Sequence, residues 1–185
     1  SVTASANYNE VWALNTIEKY FSATENKVVT VDQKGFESFR TYNFNVGIGT
    51  TIYGTFNFGE DKKIQAIRHM VTPSIGFTYS PDFGDPKFGY FKSYYDERGV
   101  LTTYSIFEGG MFGSPNQGLT QSIGFNINNN LEMKVRSKTD STGTKKVKIF
   151  ESLNISGGYN FAADKYKWSL ISISTQTSFF QNKLS

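Results

Sequence analysis

Four basic residues are spaced so that together they could bind an anion. Lys134 and Arg136 lie two residues apart, and Lys146 and Lys148 repeat that spacing a few residues later. Residues two apart on a β-strand point to the same face, so two paired strands would place all four cations together. Such a patch would attract an anionic, phosphorylated cargo. The alternative is that these charges only keep a turn soluble.

Other residues offer little for catalysis. His69 is the only histidine and cysteine is absent, which excludes thiol chemistry and metal sites with several histidines. By alternation His69 shares an apolar face with Ile67 and Val71, which favours a structural role at an interface. Asp82 and Asp85 could suggest calcium, but turn formation explains them adequately. We therefore expect no enzyme activity, no catalytic residue, no cofactor and no metal.

Long β-strands must position these residues, because apolar and polar residues alternate with a period of two. The clearest case runs from Thr41 to Phe58, with mostly apolar residues at even positions and Thr, Asn and Gly at odd ones. Similar alternation predicts strands at 1–12, 67–80, 119–136 and 146–162, and a less regular one at 166–180. Strands of soluble sheets usually have about five or six residues, whereas about 9–11 cross a bilayer.

The composition also favours a membrane sheet. Aromatic residues make up 16% of the chain, yet the mean hydropathy is −0.40. No segment approaches the roughly 18 apolar residues of a transmembrane helix, whereas the alternating strands of a barrel keep the average hydropathy low. The net charge of +3, without a basic helix face, argues against nucleic acid as a partner.

The connections alternate in length as well. Long ones are predicted near 15–40 and 81–116 and short ones near 59–63 and 137–145, which is typical of outer loops and periplasmic turns. Six strands cannot close a membrane barrel, which needs about eight. We therefore predict an all-β fold, an antiparallel transmembrane β-barrel of which residues 1–185 form about six strands and the rest belongs to a longer protein. A soluble β-sandwich is the alternative, although its inner faces would need more apolar residues.

Pro73 is a second residue of interest, because it lies inside a predicted strand and cannot donate to the sheet. Proline in sheets normally marks an edge, a strand start or a bulge. We predict that it distorts its strand. The distortion is either a bulge that redirects the strand or a weakened pairing that helps the wall deform.

The residues around Pro73 carry a family resemblance. Segment 67–83 resembles a strand of the LptD (OstA/Imp) family of lipopolysaccharide-assembly outer-membrane proteins. Pro73, Phe77, Tyr79 and Pro81 match its proline in the strand, alternating aromatic pair and loop-opening proline. The chain is similar to the family from about Asn7 onward. Further segments in the family's order are 104–108, 121–125, 129–136 and 158–164, the last two being typical of a branch with a Lys-rich turn.

The resemblance implies a lipopolysaccharide translocon barrel in the cell outer membrane that inserts lipopolysaccharide into the outer leaflet. The implied partners are lipopolysaccharide, an LptE-type plug lipoprotein and the periplasmic lipopolysaccharide-bridge proteins. Proteobacterial members rely on disulfides, which a chain without cysteine cannot form. The lateral gate of the family is not assigned to any residue here, Pro73 included. The alternative function is a porin or TonB-dependent transporter barrel for small solutes.

Overall fold

A computed structural model describes residues 1–138 and 142–177. Its elements are β1 Val2–Ser22, β2 Lys27–Gly49, β3 Ile52–Asn57, β4 Ile64–Ser80, a 3-10 turn at Pro86–Phe88, β5 Phe91–Tyr95, β6 Leu101–Ser105, β7 Thr120–Arg136, β8 Thr144–Asn160 and β9 Ser172–Gln176. Over the described ranges, no helix has the length and apolar character needed to cross a membrane.

Seven of these strands form one sheet. The order is β1-β2-β4-β7-β8-β9, and β3 also pairs with β4, while β5 and β6 form a separate hairpin. The strand order has two ends, so the described strands form an open sheet with β1 and β9 as its edges. The predicted all-β class is confirmed. The predicted closure by further strands stays a prediction.

Two predicted boundaries need correction. Residues 15–40, predicted as a long loop, are strand apart from the turn at 23–26. Polar residues occur at both parities there, which hides the alternation, but antiparallel pairing still satisfies the backbone groups. The predicted strand at 166–180 is also shorter, because only β9 is strand and Trp168 makes an isolated bridge with Tyr159. Residues 178–180 lie outside the described part of the chain.

The chain divides into two compact units. The first contains residues 1–4, 45–78 and the described part of 121–185. The second contains residues 5–44 and 79–120. The first unit therefore holds the cation-bearing strands and Pro73, and the second holds the long connection between β4 and β7.

The first unit exposes apolar side chains on one face of its sheet. Ile52 lies opposite Val71, and Phe56 lies opposite Ile67, so apolar residues of β3 and β4 share a face. Within the described part of the chain no protein covers this face, and Phe56 is 68% exposed. Contiguous exposed apolar surface of this kind marks contact with a membrane or another protein.

Pro73 lies opposite a break in the neighbouring strand. β4 itself is continuous, but Thr50 and Thr51 separate β2 from β3, and Pro73 O accepts the N–H of Thr50 at 3.1 Å. Antiparallel residues in a hydrogen-bonded pair exchange two bonds, and Pro73 has no N–H to provide the second. The distortion therefore occurs in the strand beside the proline.

Replacing Pro73 by alanine should repair this pairing. The new N–H would bond to Thr50 O, and one added hydrogen bond should raise the free energy of unfolding by about 1 kcal/mol. Urea unfolding of the full-length protein in detergent, with hydrogen exchange at the new amide, would measure this. Thr72→Ala is the control, since it leaves the backbone N–H groups unchanged. Fast exchange of the new amide would show that the break has another cause.

Candidate functional site

The β7–β8 hairpin brings the predicted basic residues together. Lys134 lies directly opposite Lys146, Arg136 opposite Thr144, and Lys148 opposite Glu132. Directly opposite residues of an antiparallel pair share a face, so the four cations line one face of the hairpin. Two like charges directly opposite each other destabilise a sheet. A contribution to the stability of the sheet therefore does not explain why Lys134 and Lys146 lie opposite each other.

Two acidic residues lie beside this patch, and one of them, Glu151, neutralises a member of it. Glu132 Oε1 accepts from Arg68 Nε at 2.9 Å, and Lys148 Nζ lies 2.8 Å from Glu151 Oε1. Within residues 1–138 and 142–177, no carboxylate lies within ion-pair distance of Lys134, Arg136 or Lys146. The described surface thus keeps a net positive charge around these three residues.

A double irregularity in the ladder decides which face the cations of β8 occupy. The register shifts once between Asn129 and Leu131 and again between Leu131 and Glu132. A single shift would place Lys146 and Lys148 on the opposite face of the sheet from Lys134. Two shifts restore the parity, so Lys146 and Lys148 stay on the face of Lys134. Sequence alternation alone did not reveal this.

His69 contacts this irregularity and not an acid–base group. Its Nε2 lies 3.1 Å from Asn129 Oδ1, and the Asn129 amide also donates to Leu153 O at 3.3 Å. These bonds tie β4 to the disturbed part of the β7–β8 ladder. Across the described residues, no group of three or more His, Asp or Glu side chains could hold a metal ion.

The second unit contains a packed aromatic cluster that sequence reasoning missed. Phe39 of β2 packs edge-on against Phe107, with ring centroids 4.8 Å apart, and Phe83 lies 5.2 Å from Phe88. Phe39, Phe83, Tyr104 and Phe107 are only 3–5% exposed. The predicted loop at 81–116 is therefore an ordered segment with its own hairpin, anchored by aromatic side chains. The many Phe and Tyr residues in it were the only available signal.

The aromatic cluster packs on the polar face of β2. Phe39 has the same parity as Asn43 and Asn45, which belong to the face predicted to line a lumen. Beyond the end of β4, Tyr90 makes the hydrogen bonds to β2 that a neighbouring strand would otherwise make. Its Oη accepts the N–H of Arg40 at 2.8 Å and donates to Arg40 O at 3.4 Å. The backbone of β2 is thereby satisfied where its neighbour stops.

Further bonds hold the segment onto β1. The N–H of Ile17 donates to Ile106 O at 2.8 Å, and the N–H of Lys19 donates to Tyr104 Oη at 3.0 Å. Lys19 Nζ also pairs with Glu108 Oε1 at 2.7 Å. These contacts lie close to Phe107 in sequence, so packing and hydrogen bonding fix the same part of the segment.

The acidic residues of the segment build turns. Asp82 Oδ1 accepts the N–H groups of Gly84 and Gly118, both at 2.7 Å, and so joins the two ends of the segment. Asp85 caps the 3-10 turn through the N–H of Lys87. In the β5–β6 turn, the N–H groups of Val100 and Arg98 hold the pKa of Asp96 below its ordinary value. The calcium interpretation of Asp82 and Asp85 gains no support from these contacts.

Comparison with known proteins gives one finding. The family model described as "LptD protein" matches residues 1–185, the whole of the chain. No significant match was found among curated proteins or among solved structures.

Proposed function

The chain belongs to the LptD protein family, a family of outer-membrane proteins that act in lipopolysaccharide assembly, and from this premise we propose a specific function. Its strands form part of a transmembrane barrel that inserts lipopolysaccharide into the outer leaflet. The proposed activity is transport, in which no bond is made or broken.

The observation that carries this proposal is the combination of strand length with an uncovered apolar face. β4, β7 and β8 each have 17 residues, and β2 has 23. A tilted strand needs about 9–11 residues to cross a bilayer. Each edge strand also leaves backbone groups that further strands of the full-length protein would pair, as a barrel in lipid requires.

In the second unit, exposed aromatic residues support a face of β1 and β2 that contacts the membrane. Tyr8, Trp12, Phe36 and Phe44 are exposed at even positions of β1 and β2, and Trp12 packs edge-on against Phe36 at 6.0 Å. Aromatic side chains are typical of the two membrane–water boundaries of barrels. Two charged residues on this face neutralise each other, because Arg40 pairs with Glu10 at 3.1 Å.

In this proposal the patch formed by Lys134, Arg136, Lys146 and Lys148 faces the lumen and guides the phosphorylated cargo. Fixed positive charge raises the local concentration of an anionic ligand and speeds its entry. An LptE-type plug lipoprotein and the periplasmic lipopolysaccharide-bridge proteins are the proposed partners, and these follow from the family alone.

Depletion of the full-length protein tests the function. We expect newly made lipopolysaccharide to disappear from the cell surface and accumulate inside, before other outer-membrane barrels fail to assemble. Pulse-labelling with surface accessibility measures the first effect, and the folded fraction of an unrelated barrel is the control. Restoration by the intact gene completes the experiment. Unchanged surface lipopolysaccharide would reject the translocon, and high ion conductance of the reconstituted protein would then favour a porin.

A further inference from the structure

A cleft of about 280 Å³ lies in the second unit, on the polar face of β1 and β2. Phe39 and Phe83 line it and are almost completely buried. Both rings belong to the aromatic cluster that anchors segment 81–119, which is the connection between β4 and β7. The cleft is therefore framed by packed side chains, and its volume is just below the roughly 300–1,000 Å³ of small-molecule sites.

Uncharged polar groups line the cleft. Asn7, Asn9, Asn43 and Asn116 contribute amides, and Thr41 and Ser114 contribute hydroxyl groups. Each amide has two donors and an acceptor, and each hydroxyl both donates and accepts. The Asn7 amide donates to Asn43 Oδ1 at 2.8 Å, which fixes the orientation of two of these groups. A ligand with many hydroxyl groups would find partners of both kinds.

Aromatic rings flank these polar groups. Phe112, 69% exposed, lines the cleft from the connection between β4 and β7. An exposed ring beside amides and hydroxyls provides a flat apolar surface next to hydrogen-bonding groups. A sugar ring matches this combination, because it has apolar C–H faces and polar hydroxyl edges.

The charge of the cleft selects among hydroxylated ligands. In the described part of the chain, none of the lining residues carries a carboxylate, ammonium or guanidinium group. A phosphate or carboxylate ligand would have no counter-charge there, and burying an unpaired charge is costly. We infer that the cleft binds a neutral saccharide unit. The inference deepens the proposed function, on which it rests for the source of the sugar: the saccharide part of the lipopolysaccharide cargo.

Binding of a defined probe tests the cleft. The probe is the host's own lipopolysaccharide oligosaccharide, freed of lipid and phosphate, added to the full-length protein in detergent. Calorimetry and saturation-transfer NMR measure its affinity. We expect binding that weakens at least tenfold in Phe112→Ala, which removes an exposed ring, and in Ser114→Trp, which fills the space. Tyr95→Ala is the control, because this 65% exposed aromatic lies in the same unit outside the cleft.

The possible outcomes distinguish failure of the saccharide-site inference from failure of the proposed function. Equal affinity of all variants, or no binding by the native protein, overturns the saccharide site even if depletion confirms the translocon. Weakened binding together with slower surface delivery of lipopolysaccharide in Ser114→Trp supports the cargo as the source. Weakened binding with normal delivery supports the saccharide site but assigns it to free oligosaccharide, and thus rejects the link to export.

Discussion

Replacing Phe107 by alanine is expected to release segment 81–119 from β1 and β2. Phe107 is 4% exposed and contacts Phe39 and Tyr90. Truncation of a buried phenylalanine costs about 3–5 kcal/mol. The segment is held by this cluster and a few hydrogen bonds, so the loss is comparable with its whole local stability. Undocking of the segment is therefore expected without unfolding of the strands.

Limited proteolysis of the full-length protein measures the release. In Phe107→Ala, cleavage within 86–112 should become much faster, while a folded-barrel gel shift stays unchanged. Phe107→Leu should have an intermediate effect, because it keeps part of the buried volume. Tyr95→Ala should behave like the native protein, since Tyr95 is 65% exposed and its removal leaves no cavity. Native-like resistance of Phe107→Ala to protease would show that the hydrogen bonds alone hold the segment.

The release also tests the orientation of the polar face. If the polar face lines the lumen, as proposed, a docked segment narrows the passage and its release widens it. Reconstituted Phe107→Ala should then conduct ions better than the native protein. Unchanged conductance despite protease-sensitive segments would place the aromatic cluster outside the lumen.

Reversing the basic patch should produce the second large effect. The quadruple variant Lys134→Glu, Arg136→Glu, Lys146→Glu and Lys148→Glu changes the charge of one face by eight units, since each substitution replaces +1 by −1. Fields of this kind change the rate of charge-steered association by roughly 10- to 1,000-fold. We expect surface delivery of lipopolysaccharide to slow by at least about tenfold, measured by pulse-labelling. Complete delivery with a normally folded barrel would reject the guiding role.

A single substitution separates stability from transport. Lys134→Glu places an acid directly opposite Lys146, which replaces repulsion by attraction. Opposite charges in such a cross-strand pair stabilise a sheet by roughly 0.2–1 kcal/mol. This variant should therefore unfold at higher urea concentration and still deliver lipopolysaccharide more slowly. Lys134→Gln is the matched neutral control and should lie between the two. Parallel changes in stability and delivery would instead indicate a purely structural role.

The sequence by itself determined the class of fold and the faces of the strands. Side chains alternate strictly along a strand, so the apolar parity of 41–58 and 67–80 could be read without coordinates. The pairing of β7 with β8, and with it the proximity of the basic residues, followed from a short connection between two alternating segments. The family match over residues 1–185 confirmed the identification made from the residues around Pro73.

Only the tertiary structure decided the features that depend on neighbouring strands. The extension of β1 and β2 through residues 15–40, the break opposite Pro73 and the double register shift beside His69 arise from backbone pairing between distant segments. The docking of segment 81–119 depends on aromatic contacts between Phe39 and residues more than forty positions away. Periodicity records which way a side chain points but not what it meets, and for this reason the aromatic cluster and the cleft beside it were not predictable from the sequence.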